Sequence, residues 1–73
     1  MMFLTGADIE AIRKGLGLTQ EAFADLLGVT DGAVSLWESN DRRPRYPMME
    51  KLNQVRIKHK IKVPSECRQL QPA

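Results

Sequence analysis

The stretch from Thr19 to Glu38 constrains the fold of this chain more than any other part of the sequence. It contains two sets of apolar residues at helical spacing: Ala22, Phe23, Leu26 and Leu27, and then Ala33, Val34 and Trp37. Thr19 and Thr30 precede these sets as suitable N-caps. Gly28 lies between them, and glycine adopts the left-handed conformation of a tight bend without a steric penalty. The sequence therefore predicts two short helices joined by a sharp turn.

A second group of signals predicts a helix before this stretch. Thr5 followed by Asp8 resembles a capping box, in which each residue bonds to the backbone N–H of the other. Gly17 suits the position just past a helix end. We therefore predict a first helix from about Gly6 to Leu16. Gly15 lies inside it at a cost of about 1 kcal/mol relative to alanine, which indicates close packing at that point.

The chain after the third helix allows two interpretations. The segment SNDRRPRYP has the composition of a loop, and Pro47 suits the first position of a fourth helix. Residues 55–63 alternate apolar and basic side chains with the period of a strand, whereas Leu52 and His59 continue a helical stripe. We favour a helix to about Lys58 followed by an extended tail. In the alternative, strands of two copies pair across a two-fold axis.

Length and composition indicate one small domain, and the helical patterns along the chain predict an all-α fold of four to five helices. The chain has 73 residues, of which 42% are hydrophobic, enough for a packed core. We expect residues 1–58 to form the domain and residues 59–73 to form a basic C-terminal tail that is extended or takes part in dimerisation. The initial MMFL is too short for a signal peptide, and no stretch approaches the roughly 18 apolar residues that span a membrane. We therefore expect a cytoplasmic protein without membrane contact.

The charges are divided sharply along the chain. Residues 1–41 carry two basic and seven acidic side chains, a net charge of −5. Residues 42–73 carry nine basic and two acidic side chains, a net charge of +7. A basic second half indicates either a polyanionic partner or a solvated basic tail.

Two helices joined by a tight bend are the outline of a helix-turn-helix, and the residues in it resemble a known family. The positions that match the spacing of the lambda-repressor-like helix-turn-helix regulators of phages and bacteria are Gln20, Ala24, Gly28, Val34 and Trp37. LGLTQEAFADLLGV and VSLWE look like that family's second and third helices, and RRPR looks like the loop that follows. The resemblance covers about residues 5–56 and implies a compact DNA-binding domain with its helix-turn-helix at about residues 20–39.

The resemblance implies structural roles for six residues. They are Ala24, Gly28, Val34 and Trp37, together with Arg13 and Glu38. Ala24 is small where the two helices approach closely, and Gly28 makes the bend between them. In this family an arginine of the first helix commonly pairs with a glutamate at the end of the third. Arg13 and Glu38 occupy the matching positions, so we expect an ion pair there.

In this family the start of the third helix enters the DNA major groove. The resemblance implies base contacts by Asp31, Gly32, Ser35 and Leu36. It implies phosphate contacts by Gln20, Arg42, Arg43 and Arg45. Residues 19–39 contain no lysine or arginine and four acidic side chains, so we expect the affinity for phosphates to come from the loop. Most relatives act as two-fold dimers, which implies a homodimer.

These patterns favour a sequence-specific DNA-binding regulator, most simply a small repressor that occupies an operator. The alternative is an antitoxin or another protein-interaction module, in which the basic tail engages a partner protein such as a toxin. An enzyme is disfavoured because His59 and Cys67 belong to no recognisable catalytic constellation. The single cysteine excludes an internal disulfide, and we expect neither a metal site nor a cofactor.

Overall fold

The computed structural model describes residues 3–65, which contain four α-helices and no strand. The helices are α1 (Gly6–Gly15), α2 (Gln20–Leu27), α3 (Asp31–Glu38) and α4 (Tyr46–Lys58). α3 packs against both α2 and α1, and α4 packs against α1. The predicted all-α class is confirmed.

Local signals place the ends of α1. The Thr5 hydroxyl accepts the Asp8 N–H at 3.3 Å, and the Asp8 carboxylate accepts the Thr5 N–H at 2.8 Å, so the capping box is confirmed. The helix ends at Gly15, one residue before the predicted end. The Leu16 N–H is shared between two carbonyls of the preceding turn, which tightens the chain before Gly17 reverses it at φ 71°.

α4 begins one residue earlier than predicted and ends where we favoured. It starts at Tyr46, so Pro47 takes the second helical position, where the missing N–H again costs no hydrogen bond. The strand alternative for residues 55–63 is wrong, because residues 55–58 continue the helix. Lys60 then adopts a left-handed φ of 55°, and the Ile61 N–H donates to the Arg56 carbonyl at 2.8 Å. This turn directs the chain back towards α1.

Residues 61–65 lie against the helices. Val63 is 1% exposed and belongs to the same core as the helices. The Ser65 N–H donates to the Asp8 carboxylate at 2.9 Å. A Cβ on Gly15 would lie 3.1 Å from the Ile61 side chain, so the close packing expected at that glycine is present. The beginning of the predicted tail therefore covers part of α1.

The core combines all four helices with the segments at either end. Its buried side chains are Leu4, Ile9, Ile12, Phe23, Ala24, Leu27, Val34, Trp37, Met49, Leu52 and Val63. α1 approaches the end of α3 closely at Gly6, where an added Cβ would clash with the Glu38 carbonyl oxygen and lie 2.6 Å from the Trp37 carbonyl oxygen. Glycine is therefore required where α1 begins, because any larger residue would push α3 away from α1.

Candidate nucleic-acid interface

The turn between α2 and α3 sets the angle at which α3 is presented. Gly28 ends α2 with a left-handed φ of 76°, as predicted from its place between the two apolar sets. The Thr30 hydroxyl accepts the Ala33 N–H at 3.2 Å and caps the start of α3. The Lys51 ammonium reaches across from α4 and donates to the Leu27 carbonyl at 3.2 Å. This contact satisfies a free carbonyl at the end of α2 and fixes α2 against α4.

α3 has a buried face and an exposed face. Val34 is fully buried and Trp37 is 8% exposed, in keeping with their implied role in holding this helix to the core. The residues implied to read bases all lie on the exposed face: Asp31, Gly32, Ser35 and Leu36. A Cβ on Gly32 would meet nothing closer than 3.9 Å, so the helix surface is open at that position. Leu36 is 39% exposed although it is apolar.

The loop between α3 and α4 lies beside this exposed face. The N–H groups of Asp41 and Arg42 donate to the Leu36 carbonyl at 3.0 and 3.2 Å, which ties the loop to the end of α3. Pro44 is buried and anchors the middle of the loop. The loop carries three exposed arginines, Arg42, Arg43 and Arg45. Together with Gly32 and Leu36 they line one open groove of about 580 Å³. The structure thus brings together two of the four predicted base-reading residues, Gly32 and Leu36, and three of the predicted phosphate-binding residues. Asp31 and Ser35 are exposed on α3 but do not line this groove.

Gln20, the fourth predicted phosphate contact, lies in a hydrogen-bond network at the start of α2. The Arg13 guanidinium donates to the Glu38 carboxylate at 2.7 and 3.2 Å, which confirms the expected ion pair. Gln20 donates from Nε2 to the same carboxylate at 3.2 Å. Arg13 also donates to the Leu18 carbonyl at 3.0 Å. Glu38 therefore links α1, α3 and the beginning of α2.

The same network shifts the pKa of the Arg13 guanidinium. The hydrogen bond to Glu38 raises the pKa of the Arg13 guanidinium above its usual value, and partial burial opposes this effect only in part. The pair is well shielded from water, since the side chains of Arg13 and Glu38 are 15% and 5% exposed. Arg13 thus remains charged and holds Glu38 in place at any ordinary pH.

The sequence analysis missed residues that position this interface. Asn40 accepts the Gly6 N–H on its side-chain oxygen at 2.8 Å and adopts a left-handed φ of 66°. It therefore caps α1 and redirects the chain after α3. The available signal was asparagine itself, which tolerates this conformation better than most residues. Lys51 had no comparable signal, because its role depends on the distant Leu27 carbonyl.

The described residues offer little for other chemistry. Within residues 3–65 no group of three or more histidine, cysteine, aspartate or glutamate side chains is arranged to hold a metal ion. His59 is exposed at the end of α4. Cys67 lies outside the described residues. Over the same range, no helix combines the length and apolar character needed to cross a membrane.

Comparisons with known proteins identify the family to which this site belongs. Neither a search of curated proteins nor a search of solved structures finds a match. The helix-turn-helix family model matches residues 9–55, from the middle of α1 to the last turn of α4. The match includes the turn at Gly28, the whole of α3 and the arginine loop. The chain therefore belongs to the lambda-repressor-like helix-turn-helix family of DNA-binding regulators.

Proposed function

We propose that this protein is a sequence-specific transcriptional regulator, acting as a small repressor that inserts α3 into the major groove of its operator. One observation supports this most strongly. Gly32 and Leu36, on the exposed face of α3, border one open groove together with the three loop arginines. A surface of the protein that carries both base-reading residues and cations can dock on a duplex without any rearrangement of the helices.

The exposed face of α3 has the chemistry for reading a limited set of bases. Asp31 accepts hydrogen bonds and suits the amino group of cytosine, whereas Ser35 bonds to several bases. Leu36 suits the methyl group of thymine. Gly32 presents only backbone, so a base edge can approach the helix closely there.

Affinity in this proposal comes mainly from outside α3. Arg42, Arg43 and Arg45 are exposed, and none forms an ion pair within the described residues. They are therefore available to phosphates, which supply most of the affinity in protein–DNA complexes. Gln20 donates one amide hydrogen to Glu38 and keeps a second for a phosphate oxygen.

We further propose that the protein binds DNA as a homodimer in the cytoplasm. A two-fold dimer presents two copies of α3 to successive major grooves about 34 Å apart. The operator is then a palindrome with half-sites one helical turn apart.

Selection of bound fragments from random duplex DNA tests sequence reading. We expect a palindromic motif whose half-site changes when Ser35 or Leu36 is replaced by alanine, while nonspecific affinity stays nearly the same. Gly32→Arg should instead raise affinity for many sequences, because it adds a cation at the groove. If the Ser35 and Leu36 variants select the parent motif unchanged, α3 does not read this DNA.

A salt titration tests the arginine loop. Replacing Arg42, Arg43 and Arg45 by alanine should weaken binding to all sequences alike and reduce the log–log salt slope by about 2–3 units, near 0.9 per lost phosphate contact. The control replaces Lys14, an exposed lysine of α1 that does not line the groove, by alanine and should leave the slope nearly unchanged. An unchanged slope in the arginine variant, with binding to a partner protein retained, would favour the antitoxin-like function instead.

A further inference from the structure

An exposed surface that is acidic and partly apolar lies on α2. It consists of Glu21, Asp25 and Leu26, all exposed, and Leu26 is 53% exposed. Neither carboxylate forms an ion pair with any residue in the described range. We call these three residues the acidic surface. Within residues 3–65, its carboxylates therefore have no neutralising partner.

A basic surface with an apolar centre lies at the end of α4 and just after it. It consists of Ile57, Lys58, Lys60 and Lys62, and Ile57 is 64% exposed. Across residues 3–65 the three lysines likewise form no ion pair. Ile57, Lys60 and Lys62 border a shallow groove of about 290 Å³. We call these four residues the basic surface.

The backbone that carries the basic surface is held in place. Ile61 packs against Gly15, and its N–H donates to the Arg56 carbonyl. Val63 is inserted into the core two residues later. Lys60 and Lys62 therefore project from a fixed segment, and little backbone entropy is lost when a partner binds them.

We propose that the acidic surface of one copy docks on the basic surface of a second copy, with Leu26 against Ile57 and carboxylates against lysines. Charge complementarity supports a second copy as the occupant. Pairing the basic surface with itself would bring lysines together and cost energy. DNA phosphates at this surface would leave Ile57 without an apolar partner.

Each copy carries both surfaces, and the proposed dimer is two-fold, so the contact is made twice and both apolar residues of each copy are buried. A contact of this kind that did not close would build longer chains, which sedimentation distinguishes from a dimer. The proposal rests only on the homodimer of the proposed function, whose interface it names. It does not depend on DNA binding, and its test uses no DNA.

Charge reversal in two variants tests this interface by sedimentation. Glu21→Lys with Asp25→Lys makes the acidic surface basic, and Lys60→Glu with Lys62→Glu makes the basic surface acidic. Each variant alone faces like charges at both contacts, and we expect its self-association to weaken by about tenfold or more. An equimolar mixture restores opposite charges at both contacts, so we expect a mixed dimer of near-parental stability. The parent dimer should weaken at high salt.

The matched control is Asp31→Lys with Glu50→Lys. It changes the net charge by the same amount as the variant of the acidic surface, but at exposed residues outside both surfaces, and should leave dimerisation intact. Circular dichroism checks that each variant folds. A parent dimer that either reversal leaves unaffected, or a mixture that stays monomeric, overturns this interface but not the homodimer. A parent that is monomeric at every concentration overturns both.

Discussion

At the scale of single residues, the Glu38 carboxylate accepts three hydrogen bonds from side chains that are distant in sequence. Both oxygens of its carboxylate accept from Arg13, and one also accepts from Gln20. The Lys14–Glu10 pair on α1 is different, because its side chains are 65% and 46% exposed and its atoms are 3.3 Å apart. Burial, and not the presence of opposite charges, decides which of these pairs matters for stability.

We predict that Glu38→Ala destabilises the fold by about 3–5 kcal/mol, because it leaves the shielded Arg13 guanidinium without its partner. Glu10→Ala is the matched control. It removes the exposed Lys14–Glu10 pair within α1 and should cost less than about 0.5 kcal/mol. Urea unfolding of the two variants measures the difference. Equal costs for the two would show that the Arg13–Glu38 pair behaves as a surface pair.

Two helical glycines provide a second comparison. A Cβ on Gly6 would lie 2.6 Å from the Trp37 carbonyl oxygen, whereas one on Gly32 would meet nothing within 3.8 Å. We predict that Gly6→Ala is strongly destabilising, because backbone atoms of α3 cannot move aside as a flexible side chain can. Gly32→Ala should be neutral or stabilising by up to about 1 kcal/mol, since alanine is the better helix former. Thermal unfolding of both variants checks the sign of each change.

At the scale of elements, Asp8 joins the start of α1 to the segment after α4. It is fully buried, and its carboxylate accepts the N–H groups of Thr5 and Ser65. Burial by itself would raise the pKa of Asp8, but the hydrogen bonds from Ser65 and Thr5 outweigh that effect and lower the pKa below 3.8. The ionised form of Asp8 is therefore the form that fits this site.

This shift predicts a stability change with pH. A carboxyl whose pKa is lower in the folded state stabilises the fold fully above its unfolded pKa of about 3.9, and this contribution is lost as the pH falls through the folded pKa. Asp8→Asn should thus be less stable than the parent at pH 6, and the difference should shrink as the pH falls below about 4. Urea unfolding from pH 6 to pH 2.5 measures this. A difference that is constant over that range would contradict the role of the ionised carboxylate.

At the scale of the whole molecule, residues 61–65 contribute to the core of the helical domain. Val63 is 1% exposed, whereas its neighbour Lys62 is exposed. We predict that Val63→Ala costs about 1–3 kcal/mol of unfolding free energy through lost burial and the cavity left behind. Lys62→Ala should change it by less than about 0.5 kcal/mol. If chemical denaturation shows the two variants to be equally stable, this segment adds nothing to the core.

Much of the fold could be predicted because its signals act over a few residues. The capping box of Thr5 and Asp8 and the bend at Gly28 each depend on neighbours within one helical turn. The exposed face of α3 also agrees with local periodicity, because burying Val34 and Trp37 leaves Gly32 and Ser35 outside. The resemblance to a family added the Arg13–Glu38 pair, which no local pattern indicates.

The tertiary structure alone decided how distant parts meet. It placed the arginine loop beside the exposed face of α3 and required Gly6 where α1 touches the end of α3. It also showed that Asp8, besides capping its own helix, binds Ser65, which lies 57 positions later in the chain. The alternation from residue 55 to residue 63 has the period of a strand, whereas Leu52 and His59 continue a helical stripe, so the sequence favoured a helix without excluding a strand. The helical bonds up to Lys58 and the burial of Val63 in the core separated the two, because non-local packing outweighs a local period.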